Sequence, residues 1–206
     1  MSLKNIIFDL GVVILDVDYN RTAEAFKKLG MVDFDNHYSK AKQDNLFDRF
    51  ETGEMTDEEF RETIRRHISH AVSDEQIDAA WNAMLISVPE TTFELLEDIG
   101  KKKRIFLLSN TNRIHIKAFA VIIEKQYGFK KFESLFEKTY YSCNLGMRKP
   151  DAEIFDFVIR QNHLALSETL FIDDSPQHVK GAREYGLTAL HLRDSAKIDD
   201  VISEVM

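Results

Sequence analysis

Five side chains carry most of the chemistry this sequence offers: Asp9, Ser109, Lys149 and the adjacent Asp173 and Asp174. Asp9 closes the apolar run Ile6-Ile7-Phe8, with Gly11 two residues on. A carboxylate in such a place can attack phosphorus and form an aspartyl phosphate. Asp9 with one or both of Asp173 and Asp174 also makes a set of hard oxygen donors. Mg2+ favours such a set, taking one or two carboxylates together with water and phosphate. The Gly11 carbonyl could add another oxygen, because glycine lets the backbone come close. Ser109 offers a hydroxyl, and the backbone N–H groups after it, at Asn110 and beyond, suit phosphate oxygens. Lys149 supplies the positive charge that lets an anionic phosphate sit among carboxylates. Each residue alone has a bland alternative as a turn, a cap or a surface group. The case rests on their meeting.

The elements that would bring them together are legible. Ile6-Ile7-Phe8, Arg104 to Leu108 and Leu170-Phe171-Ile172 read as buried strands, and they stop at Asp9, Ser109 and Asp173. Lys138 to Ser142 and Leu187 to Leu192 add two more strands. From Pro89 onward strands and helices alternate, which predicts an α/β fold with a doubly wound, Rossmann-like parallel sheet. In such sheets ligands bind beyond the carboxyl ends of the strands, so the strand-end groups converge. Lys149 precedes Pro150, which suits the first turn of a helix carrying Ile154, Phe155 and Val158. Between the first strand and Pro89 the pattern is helical and shows no strand. Thr56 with Glu59, and Ser73 with Gln76, form capping boxes ahead of helices that bury Phe60 and Ile64, and Ile77 and Trp81. The expected division is an α/β core of residues 1–15 and 89–206 and a helical insert of residues 16–88.

Composition sets limits. With 206 residues, 44% hydrophobic and 30% charged, the chain suits a globular core domain with a smaller insert. A net charge of -8 argues against nucleic acid and anionic membranes as partners. No apolar run is long enough to span a bilayer, and the N-terminus lacks the apolar stretch of a signal peptide. The single cysteine, Cys143, fits a reducing, cytoplasmic setting and reads as a packing residue. The basic triplet Lys101-Lys102-Lys103 reads as a solvated helix end.

Phe8-Asp9-Leu10-Gly11, Leu108-Ser109-Asn110-Thr111-Asn112-Arg113, Leu145-Gly146-Met147-Arg148-Lys149-Pro150 and Asp173-Asp174 together resemble the four motifs of the haloacid dehalogenase-like hydrolases. The likeness is nearest to the branch holding bacterial α-D-glucose-1-phosphate phosphatase and the phosphatase domain of soluble epoxide hydrolase. It covers essentially the whole chain, with the insert standing where that family has its cap domain. The resemblance implies a Mg2+-dependent phosphatase acting on a small phosphorylated metabolite, in a monomer or weak dimer. It implies Asp9 as nucleophile, Ser109, Asn110 and Lys149 on the phosphoryl oxygens, and Asp9, the Gly11 carbonyl and Asp174 on the metal. Asp173 would be a direct or water-mediated further ligand. In the cap, Arg49 and Glu51 are the candidates for substrate selection, with ordinary surface pairing as the alternative.

The chain departs from that pattern at Gly11, where phosphatases of the family usually carry a second Asp as general acid. Losing such an acid typically costs about 10²–10⁴-fold in rate. Three explanations are open. In the first, the leaving group needs less help, as in a sugar 1-phosphate. In the second, another acid, such as Asp16, Asp18 or a cap residue, supplies the proton. In the third, the protein is a dehalogenase, although paired metal-binding carboxylates have little use in metal-free displacement on carbon. A phosphate-binding regulatory protein that has lost turnover is a further alternative.

Overall fold

The computed structural model describes residues 3–31, 38–39, 42–43, 45–68, 70–192 and 198. Five parallel strands make one sheet: β1 (Asn5–Phe8), β4 (Arg104–Ser109), β5 (Lys138–Tyr141), β6 (Thr169–Asp173) and β7 (Thr188–His191), in the order β5-β4-β1-β6-β7. All four residues of β1 are buried, because both faces of the sheet are covered. Ile6 and Phe8 enter one core with Leu96, Ile99, Phe119 and Ile123. Ile7 enters the opposite core with Phe106, Phe155, Val158 and Phe171. The covering helices are α5 (Glu90–Gly100), α6 (Arg113–Gln126), α7 (Phe129–Glu133), α8 (Ser142–Leu145), α9 (Ala152–Gln161) and α10 (Pro176–Tyr185).

Register places the chemistry. Phe8 lies opposite Leu107 on one side and Ile172 on the other. The next residue of β1 is therefore level with Leu108 and Asp173, and the Asp9 N–H donates to the Ile172 carbonyl at 2.9 Å. Three strand ends thus meet at one edge of the sheet, at its topological switch point around β1.

The insert after β1 holds α1 (Tyr19–Lys28), α2 (Asn45–Glu51), α3 (Asp57–Arg65) and α4 (Asp74–Asn82). Both capping boxes form, Thr56 with Glu59 and Ser73 with Gln76. A cap contributes about 1 kcal/mol. The aromatic core they frame contributes more, since fully burying one Phe stabilises by about 1.5–3 kcal/mol. Phe26, Phe47, Phe50, Phe60 and Trp81 all lie in it, with Phe50 stacked on Phe60 at 4.2 Å. Ile114 of α6 packs into the same cluster and ties it to the α/β core.

Two details depart from the sequence reading. The insert contains a two-residue antiparallel pair, β2 (Tyr38–Ser39) with β3 (Lys42–Gln43), too short to leave a periodic signal. Pro150 stands ahead of α9 rather than in its first turn. The Asp151 N–H donates to the Arg148 carbonyl, and Pro150 lies tight against Gly181 of α10, where a Cβ would overlap its carbonyl.

Candidate active site

Lys149 is the centre of the strand-end cluster. It is fully buried, and its Nζ donates to Asp9 Oδ1 at 2.6 Å, Asp173 Oδ2 at 2.6 Å and the Leu108 carbonyl at 2.9 Å. A buried lysine survives only when partners replace its lost hydration. Its backbone is held as well. Asn110 accepts from the Lys149 N–H and donates to the Lys149 carbonyl, each at 2.9 Å. The Asn110 side-chain amide thereby braces Lys149.

Asp9, Asp173 and Asp174 are buried and present carboxylate oxygens within 4.8 Å of one another. Three carboxylates against one lysine leave two negative charges in excess. The protonation pattern follows. Burial, the largest influence, raises the Asp9 carboxyl above the usual carboxylate range, and the neighbouring Asp173 adds to it, against the pull of Lys149. Burial also works to raise Asp173, but Lys149 and His178 outweigh it and hold that group low. Burial disfavours the charged form of Lys149, yet the two aspartates keep its pKa raised. The charge excess and the all-oxygen donor set both fit a hard divalent cation. Asp173 Oδ1 accepts from the Ser175 N–H at 2.7 Å, and His178 Nδ1 sits 3.1 Å from both of its oxygens.

A cavity of about 100 Å³ opens above this cluster. The α/β core contributes Asp9, Gly11, Ser109, Asn110, Thr111 and Asp174 to its wall, and the insert contributes Tyr19, Glu51, Met84 and Leu85. Gly11 sits in a tight turn in which Val12 takes a left-handed φ of 64°, a conformation costing a side-chain-bearing residue about 1–2 kcal/mol. A Cβ at Gly11 itself would make only ordinary contacts, 3.7 Å from Val17 Cγ2 and 4.0 Å from Asp9 Oδ2.

Of the two insert residues singled out from sequence, the structure separates the pair. Glu51 is on the cavity wall and takes Arg148 Nη2 at 2.9 Å. Arg49 is exposed and lies 3.9 Å from Glu54, outside the wall. Asp16 is exposed, and Asp18 caps α1 through the Asn20 N–H, so neither lines the cavity. Cys143 is buried, and burial pushes its thiol up to about 11, in line with a packing role. Sequence reasoning passed over Tyr19 and His178. The position of His178, five residues after Asp173 in the first turn of α10, was a usable signal.

His115 closes one side of the cavity. It stacks on Trp81 at 4.7 Å, and its Nε2 lies 3.2 Å from the Trp81 carbonyl. Burial drives its imidazole down to about 4, against the partial support of that carbonyl. The unfolded chain takes up this proton near pH 6.5, and the folded chain only near the lower value. Stability is therefore complete above about pH 6.5 and falls as pH drops toward 4, by roughly 3 kcal/mol. Urea unfolding at about pH 7 and about pH 4.5 should show a clearly smaller loss for His115→Gln than for wild type. Equal losses in the two proteins would refute this account of His115.

Fold and site together define an α/β protein with a carboxylate-rich centre, suited to a hard cation, at its strand ends. The chain belongs to the haloacid dehalogenase-like hydrolases, whose family model matches residues 3–186. Among its relatives, D-ribitol-5-phosphate phosphatase of Bacteroides thetaiotaomicron is 32% identical over 194 residues, covering 94% of each chain. A HAD family enzyme of the same species, solved in complex with magnesium and inorganic phosphate, superposes with a TM-score of 0.86 at 36% identity, covering 97% of this chain and 99% of that one. The bifunctional epoxide hydrolase 2 of Sus scrofa is 25% identical over an alignment of 211 positions that covers 95% of this chain and 37% of that protein. Among the described residues no helix is long and apolar enough to cross a membrane.

Proposed function

We propose that this protein is a Mg2+-dependent phosphatase that hydrolyses a small sugar or polyol phosphate through an aspartyl phosphate on Asp9. The observation that carries this reading is the buried trio of Asp9, Asp173 and Asp174 around Lys149. Metal-free displacement on carbon would have no use for its charge excess. The magnesium and phosphate bound by the similar Bacteroides enzyme support the same reading.

Asp9, Asp174 and the Gly11 carbonyl would hold Mg2+, with Asp173 beside them. When bound, the ion neutralises charge on the phosphoryl oxygens and on the carboxylates. The remaining steps belong to the chain. Lys149, the Ser109 hydroxyl and the Asn110 N–H bind the phosphoryl oxygens and turn phosphorus toward Asp9. An Asp9 oxygen attacks phosphorus, and the leaving group departs into the lobe lined by Tyr19, Glu51, Met84 and Leu85. Water then attacks phosphorus and frees Asp9. We also take residues 16–88 as a cap over a core of residues 1–15 and 89–206. Its two crossings pair with each other, Asp16 N–H to the Ser87 carbonyl at 2.8 Å and Ile86 N–H to the Asp16 carbonyl at 3.0 Å, as a hinge requires.

The small, partly polar cavity suits a leaving group of few carbons bearing hydroxyls, and the relative named for D-ribitol 5-phosphate points the same way. A panel of phosphate esters assayed for Mg2+-dependent phosphate release tests this. D-ribitol 5-phosphate is expected to outperform hexose 1-phosphates. The reverse order would favour the sugar 1-phosphate reading, in which an easy leaving group makes up for Gly11. No Mg2+-dependent release from any member would overturn the phosphatase reading.

A further inference from the structure

The position that in related phosphatases carries a proton donor is Gly11, so the proton for the leaving group has to come from elsewhere on the cavity wall. Building on the phosphatase reading above, we propose that Glu51, delivered by the insert, is the general acid of this site.

The other wall groups are poorly placed for the task. Both ring nitrogens of His115 lie against neighbours, Nδ1 near Asn112 and Nε2 near the Trp81 carbonyl. His178 is turned to Asp173. Gln177 has only an amide. Tyr19 carries a phenol that burial and the carboxylates of Asp9, Glu51 and Asp173 push far up, which makes it a reluctant proton donor.

Glu51 is held where an acid must be. Its carbonyl accepts from Ser142 Oγ at 2.6 Å, and the same Oγ accepts from the Thr111 N–H of the phosphate-binding turn at 2.9 Å. Two residues on, Gly53 has a φ of 74° and presses so closely on Cys143 that a Cβ would overlap the Cys143 carbonyl oxygen. The end of α2 is thereby seated on the core beside the phosphate site. Arg148, the neighbour of Lys149, reaches Glu51 Oε2 and also Asp48 Oδ1 at 2.8 Å. Burial, the strongest influence on Glu51, raises its carboxyl above the ordinary range despite Arg148. A protonated carboxyl also avoids repelling the incoming phosphate.

The proton inventory closes. As the Asp9 oxygen bonds to phosphorus, the bond from phosphorus to the ester oxygen breaks with its electron pair on that oxygen. The Glu51 proton passes to that oxygen, giving the alcohol. The carboxylate left behind faces the Arg148 guanidinium, which stabilises the charge that has just formed. Water then attacks phosphorus, gives its proton to Glu51, and the phosphorus–Asp9 bond breaks with its pair returning to Asp9. Because the acid sits on the insert, proton transfer is coupled to the seating of α2.

The test compares kcat/KM for p-nitrophenyl phosphate, whose leaving group departs without a proton, with that for D-ribitol 5-phosphate, whose leaving group needs one. In Glu51→Gln the ratio of the first to the second should rise about 10²-fold over wild type. Each ratio is taken on one preparation, so the folded fraction cancels. The double variant Gly11→Asp/Glu51→Gln, whose Cβ at residue 11 would make only ordinary contacts, should bring the ratio back by about tenfold or more. A ratio unmoved by Glu51→Gln, with both esters slowed alike, would reduce Glu51 to a latch between insert and core and overturn the assignment. A ratio moved by Tyr19→Phe and not by Glu51→Gln would overturn it in favour of the phenol. Wild type releasing phosphate from neither ester would overturn the phosphatase reading itself, and this assignment with it.

Discussion

Asp9→Asn is expected to lower kcat by about 10⁴–10⁶-fold, the scale seen when a covalent nucleophile is removed while binding groups remain. The same substitution should leave the fold intact. Burial already disfavours the charged form of Asp9, and a neutral isostere relieves part of the excess negative charge while leaving Lys149 its contact with Asp173 at 2.6 Å. The expected pattern is an inactive protein at least as stable as wild type when Mg2+ is absent. Phosphate release and urea unfolding on the same samples read both halves. A variant within tenfold of wild-type kcat would remove Asp9 from the chemistry. A large loss of stability would mean that its ionised form is needed to hold Lys149 in place.

Lys149→Met should do the opposite to stability. It keeps the apolar stem but takes the buried lysine charge away from Asp9 and Asp173, leaving only His178 beside Asp173, and removing one partner of a buried ion pair costs about 3–5 kcal/mol. Activity falls with it, because the phosphoryl oxygens lose their buried cation. A divalent ion that binds the folded state alone offsets part of the cost by mass action. Added Mg2+ should therefore raise the unfolding midpoint of the variant more than that of wild type. A destabilisation below about 1 kcal/mol in Mg2+-free buffer would contradict the central place given to Lys149.

The two substitutions differ in sign because they change the same charge count in opposite directions. That count was partly legible in the sequence. Asp9, Ser109 and Asp173 each end an apolar run, and a parallel sheet leaves only one edge on which such ends can meet. Helix starts in the insert were legible because Thr56 and Ser73 carry their capping partners three residues on. Contacts that join distant stretches of chain were not. The reach of Arg148 to Glu51 spans 97 residues, and the clamp of Asn110 on Lys149 spans 39. Neither leaves a local pattern. Arg49 and Glu51 were named together, yet residues two apart on a helix point to different sides. Only Glu51 lines the cavity, and helical geometry could have separated the two in advance. Tyr19 went unread because, in sequence, it is simply the residue after a helix cap.

The most direct test of the account is to look for the covalent intermediate itself. The protein is mixed with a turned-over phosphate ester and Mg2+, quenched in acid within one turnover, and mapped by peptide mass spectrometry. A single phosphoryl group is expected on the peptide that carries Asp9, absent when Mg2+ is chelated and absent in Asp9→Asn. Sustained phosphate release with no phosphoryl group on that peptide, or with one on another residue, would contradict it.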